Sequence, residues 1–519
     1  MPSPHNVQAV IIVILLWLGW LWLQARFGAV QKNSTWILLV LAVLSLAAHT
    51  NFLRYERGLD RRDSVDFYVY YVAPKYFPEL GYHGLYDAHT IADYEDDFRA
   101  YRPMVPVRSL DDNLMVRKDS IVERKDEIVG WFTPPRWQEF KDDIGVFRAE
   151  YIFDRRDSRW AQDHGYNGTP LTTAINGTLL RQPFLSTERF VKLMSWSDLL
   201  LVVGVGATIA YLLGAQWGLL FVIAFGANPL NDYITVGGSY LRYLHFASLA
   251  LGIVALRKGR GVTAGLLFAV ATHLRLFPAL FALALLFRDL LRPERRRLLV
   301  ERRRFYLSFA AAGLLLLAGT SLLRTPGEQN VWVDFTKNTL LHGKSYAVNA
   351  LGLKYPFMYS DETNYEVLAS RSKPIDWRSE MAARLSRNAV GYRVAATALF
   401  ALSLLFLRRA RDSGEALFVG LVWLFAFLQA SAYDYALMSL IPLMFARDRR
   451  MWWVLGLTWV LICVVIQLPA AEAAYDWGYN VISIILAVYL AGALALRAFI
   501  WREPFTGGRS GYAAVREGP

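Results

Sequence analysis

The chain has 519 residues, of which 55% are hydrophobic and 14% aromatic, and its formal net charge is +12 at pH 7. The apolar residues are gathered in runs of about 17–25, a length that crosses a bilayer core and that a soluble protein seldom repeats. The arginines lie between these runs, so membrane topology explains the charge better than a nucleic-acid partner does. The single cysteine, Cys463, excludes an internal disulfide and argues against a metal–thiolate site.

Apolar runs predict the membrane helices. The first run, 7–24, lacks a preceding basic segment and a small-residue cleavage site, so we expect it to be a retained helix and not a signal peptide. Together with the segment 262–288, the runs predict an all-α polytopic membrane protein with about 11–13 membrane segments. The other predicted spans are 36–52, 194–213, 217–227, 240–256, 306–323, 394–407, 416–430, 435–445, 452–468 and 481–500.

Polar stretches divide the chain further. Two of them, 53–193 and 324–393, are far longer than ordinary connections, and such loops are usually functional or disordered. In the first we expect amphipathic helices near the ends and an irregular or small folded insertion at 93–163. The predicted segments are two N-terminal membrane helices (1–52), a large outer loop (53–193), membrane helices (194–323), a second outer loop (324–393), C-terminal membrane helices (394–500) and a cytoplasmic tail (501–519).

Arginine clusters predict the orientation. Those at 292–304, 408–411 and 446–450 face the cytoplasm if basic loops stay inside, and the spans between them then alternate correctly. The same rule puts 257–260 inside, so the segment 262–288 begins and ends on one side. Two short helices that meet at His273-Leu-Arg275 satisfy this, because half-length helices do not cross a core of about 30 Å. One long tilted helix with an outward-facing basic flank is the alternative.

Two carboxylates and several tyrosines follow the second span, in Asp63-Ser-Val-Asp66-Phe-Tyr-Val-Tyr-Tyr71. A carboxylate at a membrane–water boundary is able to accept a proton from an attacking hydroxyl group. An isolated aspartate at the end of a span more often caps a helix or solvates a loop. Ionisable groups at such a boundary are functional candidates by default, and the others are Asp232, Asp334, Asp434 and Tyr435.

Short motifs then follow in a fixed order: Asp66-Phe-Tyr-Val-Tyr-Tyr71, Gly81-Tyr-His-Gly-Leu-Tyr86-Asp87, Gly165-Tyr-Asn-Gly-Thr-Pro170-Leu, Asn228-Pro229, Gly237-Gly-Ser-Tyr240, Arg257-Lys-Gly-Arg260, Ala264-Gly265, His273-Leu-Arg275-Leu-Phe-Pro278 and Asn349-Ala-Leu. Their order resembles the GT-C glycosyltransferases that use polyprenyl-phosphate sugars, above all the polyprenol-phosphate-mannose-dependent mannosyltransferases. The chain departs from that family in reading Gly-Gly for Gly-Gln, in replacing the hairpin lysine by His273 or Arg275, and in its long insertion.

The resemblance implies an inverting glycosyltransferase in which Asp66 is the general base. The donor would be a polyprenyl-phosphate-linked sugar, mannose first among the candidates, and the acceptor a glycolipid or cell-envelope glycan. The donor phosphate needs cations placed beforehand, and the planar fork of Arg275 suits it. The other phosphate-binding candidates are His273, Arg242 and Lys344, and the sugar or acceptor pocket candidates are Asp63, Tyr70, Asn349, Asp434 and Tyr435. The alternative for each cation is an interface anchor.

Zinc-type spacing and a glycine-rich phosphate loop are both missing from the sequence, so we expect no metal or other cofactor. A divalent ion held by Asp66 with a loop carboxylate such as Asp163 stays open. We expect a bacterial inner-membrane protein with its site on the non-cytoplasmic side, and membrane lipids as further partners. Two other functions remain: a secondary transporter or flippase for an anionic lipid or sugar, which a half-helix hairpin suits, and a non-catalytic partner of an envelope-glycan synthase.

Overall fold

The structure is a computed structural model that describes residues 4–27, 34–50, 52, 64–96, 106–150, 161, 164–180, 186–231, 241–344, 349–361, 377–428, 430–446, 448–469 and 475–501. This part of the chain is about 80% helical. Five of its helices are long and apolar enough to cross a membrane: Val7–Arg26, Thr187–Leu213, Ala389–Arg409, Arg450–Gln467 and Asp476–Ile500. The all-α membrane class predicted from the sequence is therefore confirmed.

The elements follow one another with few strands. The first half contains α1 (Pro4–Phe27), α2 (Ser34–His49), α3 (Ser64–Lys75), α4 (Phe77–Leu80), α5 (Leu85–Glu95), β1 (Val107–Arg108), β2 (Met115–Val116), α6 (Lys118–Val122), α7 (Lys125–Val129), α8 (Pro134–Glu150), α9 (Pro170–Leu180), α10 (Thr187–Met194), α11 (Ser197–Leu213), α12 (Ala215–Gly226) and α13 (Leu244–Arg257).

The second half contains α14 (Gly261–Leu274), α15 (Ala279–Leu291), α16 (Arg295–Glu301), α17 (Arg303–Thr320), a 3₁₀ turn (Pro326–Glu328), α18 (Val331–Lys344), β3 (Ala350–Leu351), α19 (Tyr355–Met358), α20 (Trp377–Arg387), α21 (Ala389–Arg409), α22 (Ser413–Phe427), β4 (Ala430–Ser431), a 3₁₀ helix (Ala432–Leu440), α23 (Ile441–Met444), α24 (Arg450–Gln467), α25 (Tyr475–Ala495) and a π-helix (Leu496–Ile500). β1 pairs with β2 and β3 with β4, both antiparallel.

The apolar helices share the larger core. α14 packs along α13 and α17, α15 along α22, and α1 along α24. The buried indoles of Trp17 and Trp459 lie 6.1 Å apart between α1 and α24. α2 and α12 approach closely because Gly226 has no side chain: a Cβ there would lie 2.3 Å from the Ser45 hydroxyl. Small residues permit such backbone contact between membrane helices.

The segment between residues 261 and 291 forms two helices and not one. α14 ends at Leu274 and α15 begins at Ala279, with Arg275 in extended conformation between them (φ −152°, ψ 129°). Each helix has 13 or 14 residues, which corresponds to a length of about 20 Å. A carboxyl-terminal turn of a helix leaves carbonyl groups that need donors. Here the Thr169 hydroxyl donates to the His273 carbonyl at 2.5 Å.

Arginines collect at one end of the bundle. Arg288 donates to the carbonyls of Ala410 and Arg411, and Arg497 forms a buried ion pair with Glu415 at 2.8 Å. These contacts join α15, α21, α22 and the terminal π-helix, and we call this region the basic end. Arg257 lies 3.9 Å from Asp412, so α13 also ends there. The start of α13 and the tip between α14 and α15 therefore lie at the opposite end.

A second core belongs to residues 64–96 and 106–150, which we call the tyrosine-rich unit. It contains α3–α8 and the β1–β2 ribbon, so the predicted insertion is folded over its described residues. Buried polar pairs join its helices: Lys75 contacts Asp143 at 2.6 Å, which ties α3 to α8. Arg148 and Asp93 pair at 2.6 Å, which ties α8 to α5. Buried charges are stable only when paired in this way.

One predicted span has a different form. The stretch 435–445 was predicted to be a membrane helix, whereas the chain forms a 3₁₀ helix followed by the short α23. Both are buried within the bundle. A capping box starts the 3₁₀ helix, with Ser431 and Asp434 each accepting from the other's backbone region. This bent segment therefore fills the bundle and does not cross it alone.

Candidate functional site

A small cleft lies at the end of the bundle opposite the basic end, where α3, α9, α13 and the α14–α15 tip meet. Its polar lining comes from Tyr70, Asn176, Arg242, His245 and Arg275. We call it the arginine cleft. Residues far apart in the sequence thus converge on one place.

Tyr70 lies between two arginines. The guanidinium of Arg242 is stacked on its ring, with the central carbon 4.5 Å from the ring centre. Arg275 donates to the Tyr70 hydroxyl at 3.4 Å, and this hydroxyl donates to the Asn167 side chain at 2.5 Å. Tyr433 covers Arg242 from another side, with 4.8 Å between guanidinium carbon and ring centre and a hydrogen bond of 2.7 Å to its hydroxyl. Stacking on tyrosine holds an arginine without neutralising it.

The Asp198 side chain of α11 positions Arg242. Leu241 has a left-handed backbone (φ 51°), a conformation that costs about 1–2 kcal/mol for a residue with a side chain. The buried carboxylate of Asp198 accepts from the N–H groups of Arg242 and Tyr243, at 3.1 and 2.9 Å. Because charged acceptors form strong hydrogen bonds, they offset the unfavourable turn. Asp198 thereby fixes the backbone position of Arg242, and with it the direction of its side chain.

Two threonines at the start of α9, Thr169 and Thr172, position Arg275. Thr169 and Thr172 donate to the carbonyls at the end of α14, and Thr172 reaches Leu274 at 3.3 Å. These bonds satisfy carbonyls that have no partner within the helix. The tip between α14 and α15 is thus fastened to the start of α9, beside Tyr70 on α3.

Two groups in the arginine cleft point to an anionic ligand. Within the described part of the chain, no carboxylate lies within ion-pair distance of Arg275. His245 is 5% exposed, and its Nε2 has no hydrogen-bond partner among the described residues, while its Nδ1 lies 3.1 Å from the Arg242 carbonyl. Buried charges and polar groups without partners are unfavourable unless a ligand completes them. A phosphate group would satisfy Arg275 directly, and it would accept from His245 Nε2 once that ring is doubly protonated, because Nδ1 already donates to the Arg242 carbonyl.

The arginine cleft is closed in this structure. Its volume of about 20 Å³ has room for about one water molecule. Admission of a phosphate group therefore requires an aromatic ring to move off Arg242. Tyr433 is half-buried, whereas Tyr70 is 5% exposed. The more accessible ring is that of Tyr433.

The predicted general base Asp66 and the predicted pocket residue Asp63 are only partly described. Asp66 belongs to α3, but its side chain lies outside the described residues, and Asp63 lies outside them altogether. Position 66 precedes Tyr70 by one helical turn, so both positions share a face of α3 and are about 6 Å apart along its axis. Lys344 is the last residue of α18, and its side chain is also outside the description, as is the whole of Asp232.

The other predicted residues have different surroundings. The His273 ring stands edge-on to Trp332, 5.9 Å away, and its Nδ1 lies 2.9 Å from the Ala269 carbonyl within α14. Tyr435 is fully buried, and its hydroxyl donates to the Leu351 carbonyl at 3.4 Å. Asp434 accepts from the Ser431 N–H at 3.2 Å as part of the capping box. None of these three side chains lines the arginine cleft.

Asn349 lies beside the segment that carries Tyr433. Its carbonyl accepts from the Ala432 N–H at 2.8 Å, next to the β3–β4 pairing. The carbonyl bond supports the backbone from which Tyr433 reaches Arg242.

The sequence did not predict two residues of this region, His245 in the arginine cleft and Tyr433 against Arg242. His245 occurs three positions after Arg242 in an apolar helix, and a lone histidine there gives no signal of a ligand. Tyr433 belongs to the stretch Ala432-Tyr-Asp-Tyr435, in which Asp434 and Tyr435 were the predicted pocket residues. The 3₁₀ geometry decides which side chain faces Arg242, and neither composition nor spacing reveals that geometry.

No group of three or more His, Cys, Asp or Glu side chains among the described residues is arranged to hold a metal ion. Comparison with protein-family models, with curated proteins and with solved structures finds no match to this chain. The chemistry of the arginine cleft must therefore be argued from its own residues.

Proposed function

We propose that the protein is an inverting glycosyltransferase of the GT-C type that moves a sugar from a polyprenyl-phosphate donor to a lipid-linked or cell-envelope glycan. The observation that carries the proposal is the Arg242–Tyr70–Arg275 arrangement, in which Arg275 has no carboxylate partner among the described residues. Such an arrangement suits a single phosphate group more than a neutral ligand.

In this proposal Arg242 and Arg275 bind the donor phosphate, and His245 donates its Nε2–H to it when the ring carries a second proton. As the sugar–phosphate bond breaks, its electrons go to the phosphate oxygen, and the two guanidinium groups stabilise the added charge. The donor's apolar tail lies in the bilayer beside the short helices α14 and α15. The predicted Lys344 would add a third cation if its side chain reaches the same group.

Asp66 acts as the general base in this scheme. Its carboxylate takes the proton of the acceptor hydroxyl while the hydroxyl oxygen bonds to the anomeric carbon opposite the phosphate. The sugar is thereby inverted at that carbon, and polyprenyl phosphate leaves. Support comes from the backbone alone: position 66 is one turn before Tyr70, whose hydroxyl contacts Arg275.

The orientation belongs to the same proposal. The basic end contains the ends of α13, α15, α21 and α22, and basic loops of membrane proteins stay in the cytoplasm. The arginine cleft and the tyrosine-rich unit would then face the non-cytoplasmic side. A bacterial inner membrane with about 11–13 membrane segments is the corresponding setting.

A transporter or flippase for an anionic lipid is the second candidate. The broken pair α14–α15 favours it, because interrupted helices often bind substrates in transporters. Such a protein would move the lipid across the bilayer unchanged.

One experiment separates the two. The full-length protein is reconstituted in liposomes with polyprenyl phosphate carrying radiolabelled mannose and with a lipid extract as the acceptor. A glycosyltransferase gives a labelled product with a new glycosidic bond and releases polyprenyl phosphate. If the label only changes leaflet and no such product forms with any extract, the glycosyltransferase proposal is wrong.

A further inference from the structure

A second cavity lies between the tyrosine-rich unit and the segment 326–341. Its volume is about 640 Å³, within the range of about 300–1,000 Å³ that ligand pockets occupy. One wall carries Glu79, Asp87 and Trp131, and the opposite wall carries Asp334 and Lys337. We call it the acidic cleft, and the proposed phosphate chemistry does not use it.

The two walls of the acidic cleft touch at its base. Gly81 has a left-handed backbone (φ 56°), and a Cβ there would lie 3.0 Å from the ring of Pro326. Gly84 similarly leaves room for Trp131, whose ring a Cβ would meet at 2.9 Å. These glycines permit α4 and α5 to pack closely against both neighbours. The cavity is thus a built feature of two packed elements and not a gap between loose loops.

The carboxylates that line the acidic cleft each have a basic side chain close by. Asp87 lies 3.3 Å from Arg124, and Asp334 lies 3.7 Å from Lys337. Glu79 is paired from behind by Arg136 at 2.8 Å. The Asp87 and Asp334 side chains are 14% and 17% exposed, so they are fixed in the wall but still open to the cavity. Arg124 is shared with Glu127 at 2.9 Å, and Asp111, which also lines the cavity, lies 3.8 Å from His83. Each carboxylate of the lining therefore has a basic side chain nearby, and a small excess of carboxylates remains.

These pairs, with carboxylates in small excess, decide the class of ligand. An anion is disfavoured by the carboxylates, and a strongly charged cation would compete with Arg124 and Lys337. A metal is disfavoured because no suitable ligand group occurs among the residues that the structure describes. A neutral ligand with many hydroxyl groups fits, since carboxylates accept from hydroxyls while arginine and lysine donate to them. Trp131 is half-buried, and the amphipathic face of an indole suits the apolar face of a sugar ring.

The acidic cleft also adjoins the arginine cleft. Tyr82 lines the acidic cleft, and its hydroxyl donates to the carbonyl of Gly168 at 3.1 Å. Gly168 in turn lines the arginine cleft. Tyr166, stacked on Tyr82 at 5.9 Å and edge-on to Tyr70 at 5.3 Å, completes the shared wall. A ligand in the acidic cleft is therefore separated from Tyr70 by only two aromatic rings.

We propose that the acidic cleft binds a neutral saccharide, with Asp87 and Asp334 accepting its hydroxyl groups and Trp131 packing on a sugar ring. Its role as the docking site of the acceptor glycan rests on the proposed glycosyltransferase function, whereas the binding itself does not. The ligand is then a chain of neutral sugars that approaches the arginine cleft from the tyrosine-rich unit.

Binding is tested with the full-length protein in lipid nanodiscs, by saturation-transfer NMR and calorimetry. The probes are neutral oligosaccharides of three to six mannose, glucose or arabinose units, an oligogalacturonate as the anion and spermine as the cation. We expect a neutral oligosaccharide to bind, and Asp334→Asn and Asp87→Asn each to weaken its binding about tenfold or more. Asp119→Asn, on an exposed pair with Arg117 away from this cavity, is the matched control and leaves binding unchanged.

Three outcomes overturn the inference: no neutral oligosaccharide binds, only the charged probes bind, or both aspartate variants bind as the wild type does. Thermal unfolding of each variant shows whether it is folded. Because the two isosteric substitutions lie on opposite walls, weaker binding by both folded variants is explained by the cavity and not by a local folding defect. Saccharide binding without any sugar transfer would leave the inference standing and remove the proposed function. Sugar transfer that neither aspartate variant alters would leave the proposed function standing and exclude the acidic cleft as the docking site of the acceptor.

Discussion

The guanidinium of Arg242 is stacked on the ring of Tyr70 at 4.5 Å, and the hydroxyl of this tyrosine accepts a hydrogen bond from Arg275. One tyrosine thus separates two cations, Arg242 just before α13 and Arg275 between α14 and α15. Like charges repel, and an anionic ligand in contact with Arg275 would reduce that repulsion.

Loss of the general base is the most direct test. Asp66→Asn keeps the size of the side chain but removes proton acceptance, so we expect kcat for sugar transfer to fall by about 10²–10⁴-fold. Donor binding and membrane insertion should stay unchanged. Transfer is measured in liposomes with radiolabelled polyprenyl-phosphate-mannose, and Asp119→Asn is the control. An Asp66→Asn protein that transfers sugar at the wild-type rate would exclude this aspartate as the base.

Arg275 should contribute to both binding and turnover. Arg275→Gln removes a cation whose planar fork fits phosphate, and we expect transfer to fall by about 10²–10³-fold. Arg275→Lys should recover only part of the loss, because an ammonium group contacts the phosphate at one point. Binding of polyprenyl phosphate to nanodisc-held protein is measured in parallel. Arg297→Gln, an exposed side chain paired with Glu301, is the control; equal losses in both proteins would assign the effect to overall charge.

The sequence predicted the parts of this site to different degrees. Length and apolar runs determine the helical membrane class, since each run long enough to cross a bilayer has few other stable forms. The position of Arg275 between two half-length helices was also predictable, because the basic clusters on both sides of the segment 262–288 indicate that the chain reverses within it. These features are local, and a single sequence contains them.

Contacts between distant segments were beyond the sequence. The stacking of Tyr433 on Arg242 depends on a 3₁₀ helix that holds this tyrosine, and not Tyr435, toward α13. The sequence also does not predict that the Nε2 of His245 is buried and has no hydrogen-bond partner among the described residues. The packed tyrosine-rich unit likewise depends on pairs such as Lys75 and Asp143, whose spacing in the chain follows no period.

Acid should loosen the tyrosine-rich unit. Burial lowers the pKa of His89, whose Nδ1 lies 2.6 Å from the Tyr68 hydroxyl and whose Nε2 lies 3.3 Å from Asp93. Burial also acts to raise the pKa of Asp93, but His89 and Arg148 outweigh it, so this pKa is lowered as well. Below pH 6.5 the unfolded chain therefore binds a proton on His89 that the folded chain does not, and below the ordinary aspartate range the same holds for Asp93.

Stability should accordingly be full above pH 6.5 and fall on acidification, with a slope of up to about 1.4 kcal/mol per pH unit for each proton. The measurement is hydrogen exchange of peptides from α5 and α8 between pH 7 and pH 4.5, corrected for the intrinsic pH dependence. His89→Phe should flatten the upper part of this dependence, while peptides from α13 serve as the internal reference. Equal acid sensitivity with and without His89 would contradict the assignment.

Saccharide binding in the acidic cleft should depend on pH through Asp87. Burial raises the pKa of this carboxyl to about 6, and the nearby Arg124 opposes the rise. An ionised carboxylate is the better acceptor of hydroxyl groups, so affinity should increase from pH 5 to pH 7 with a midpoint near 6. Arg124→Gln removes the opposing cation and should move the midpoint upward, whereas Asp87→Asn should abolish the dependence. Calorimetry with the neutral oligosaccharide across this range is the measurement.

The shared wall of the two clefts should tolerate little change. A Cβ at Gly168 would lie 2.2 Å from the Tyr166 hydroxyl, which is buried and contacts Thr173 at 2.9 Å. Gly168→Ala must therefore displace Tyr166 and with it Tyr70 or Tyr82, and we expect a loss of about 1–3 kcal/mol in stability together with weaker sugar transfer.

Gly145→Ala is the matched control, because Gly145 lies inside α8 and a Cβ there would meet no atom within 4 Å. This control should stabilise the protein by about 0.5–1 kcal/mol and leave transfer unchanged, since alanine favours the helix interior. Thermal unfolding and the liposome assay measure both effects, and unaltered transfer by Gly168→Ala would show that the wall does not couple the clefts.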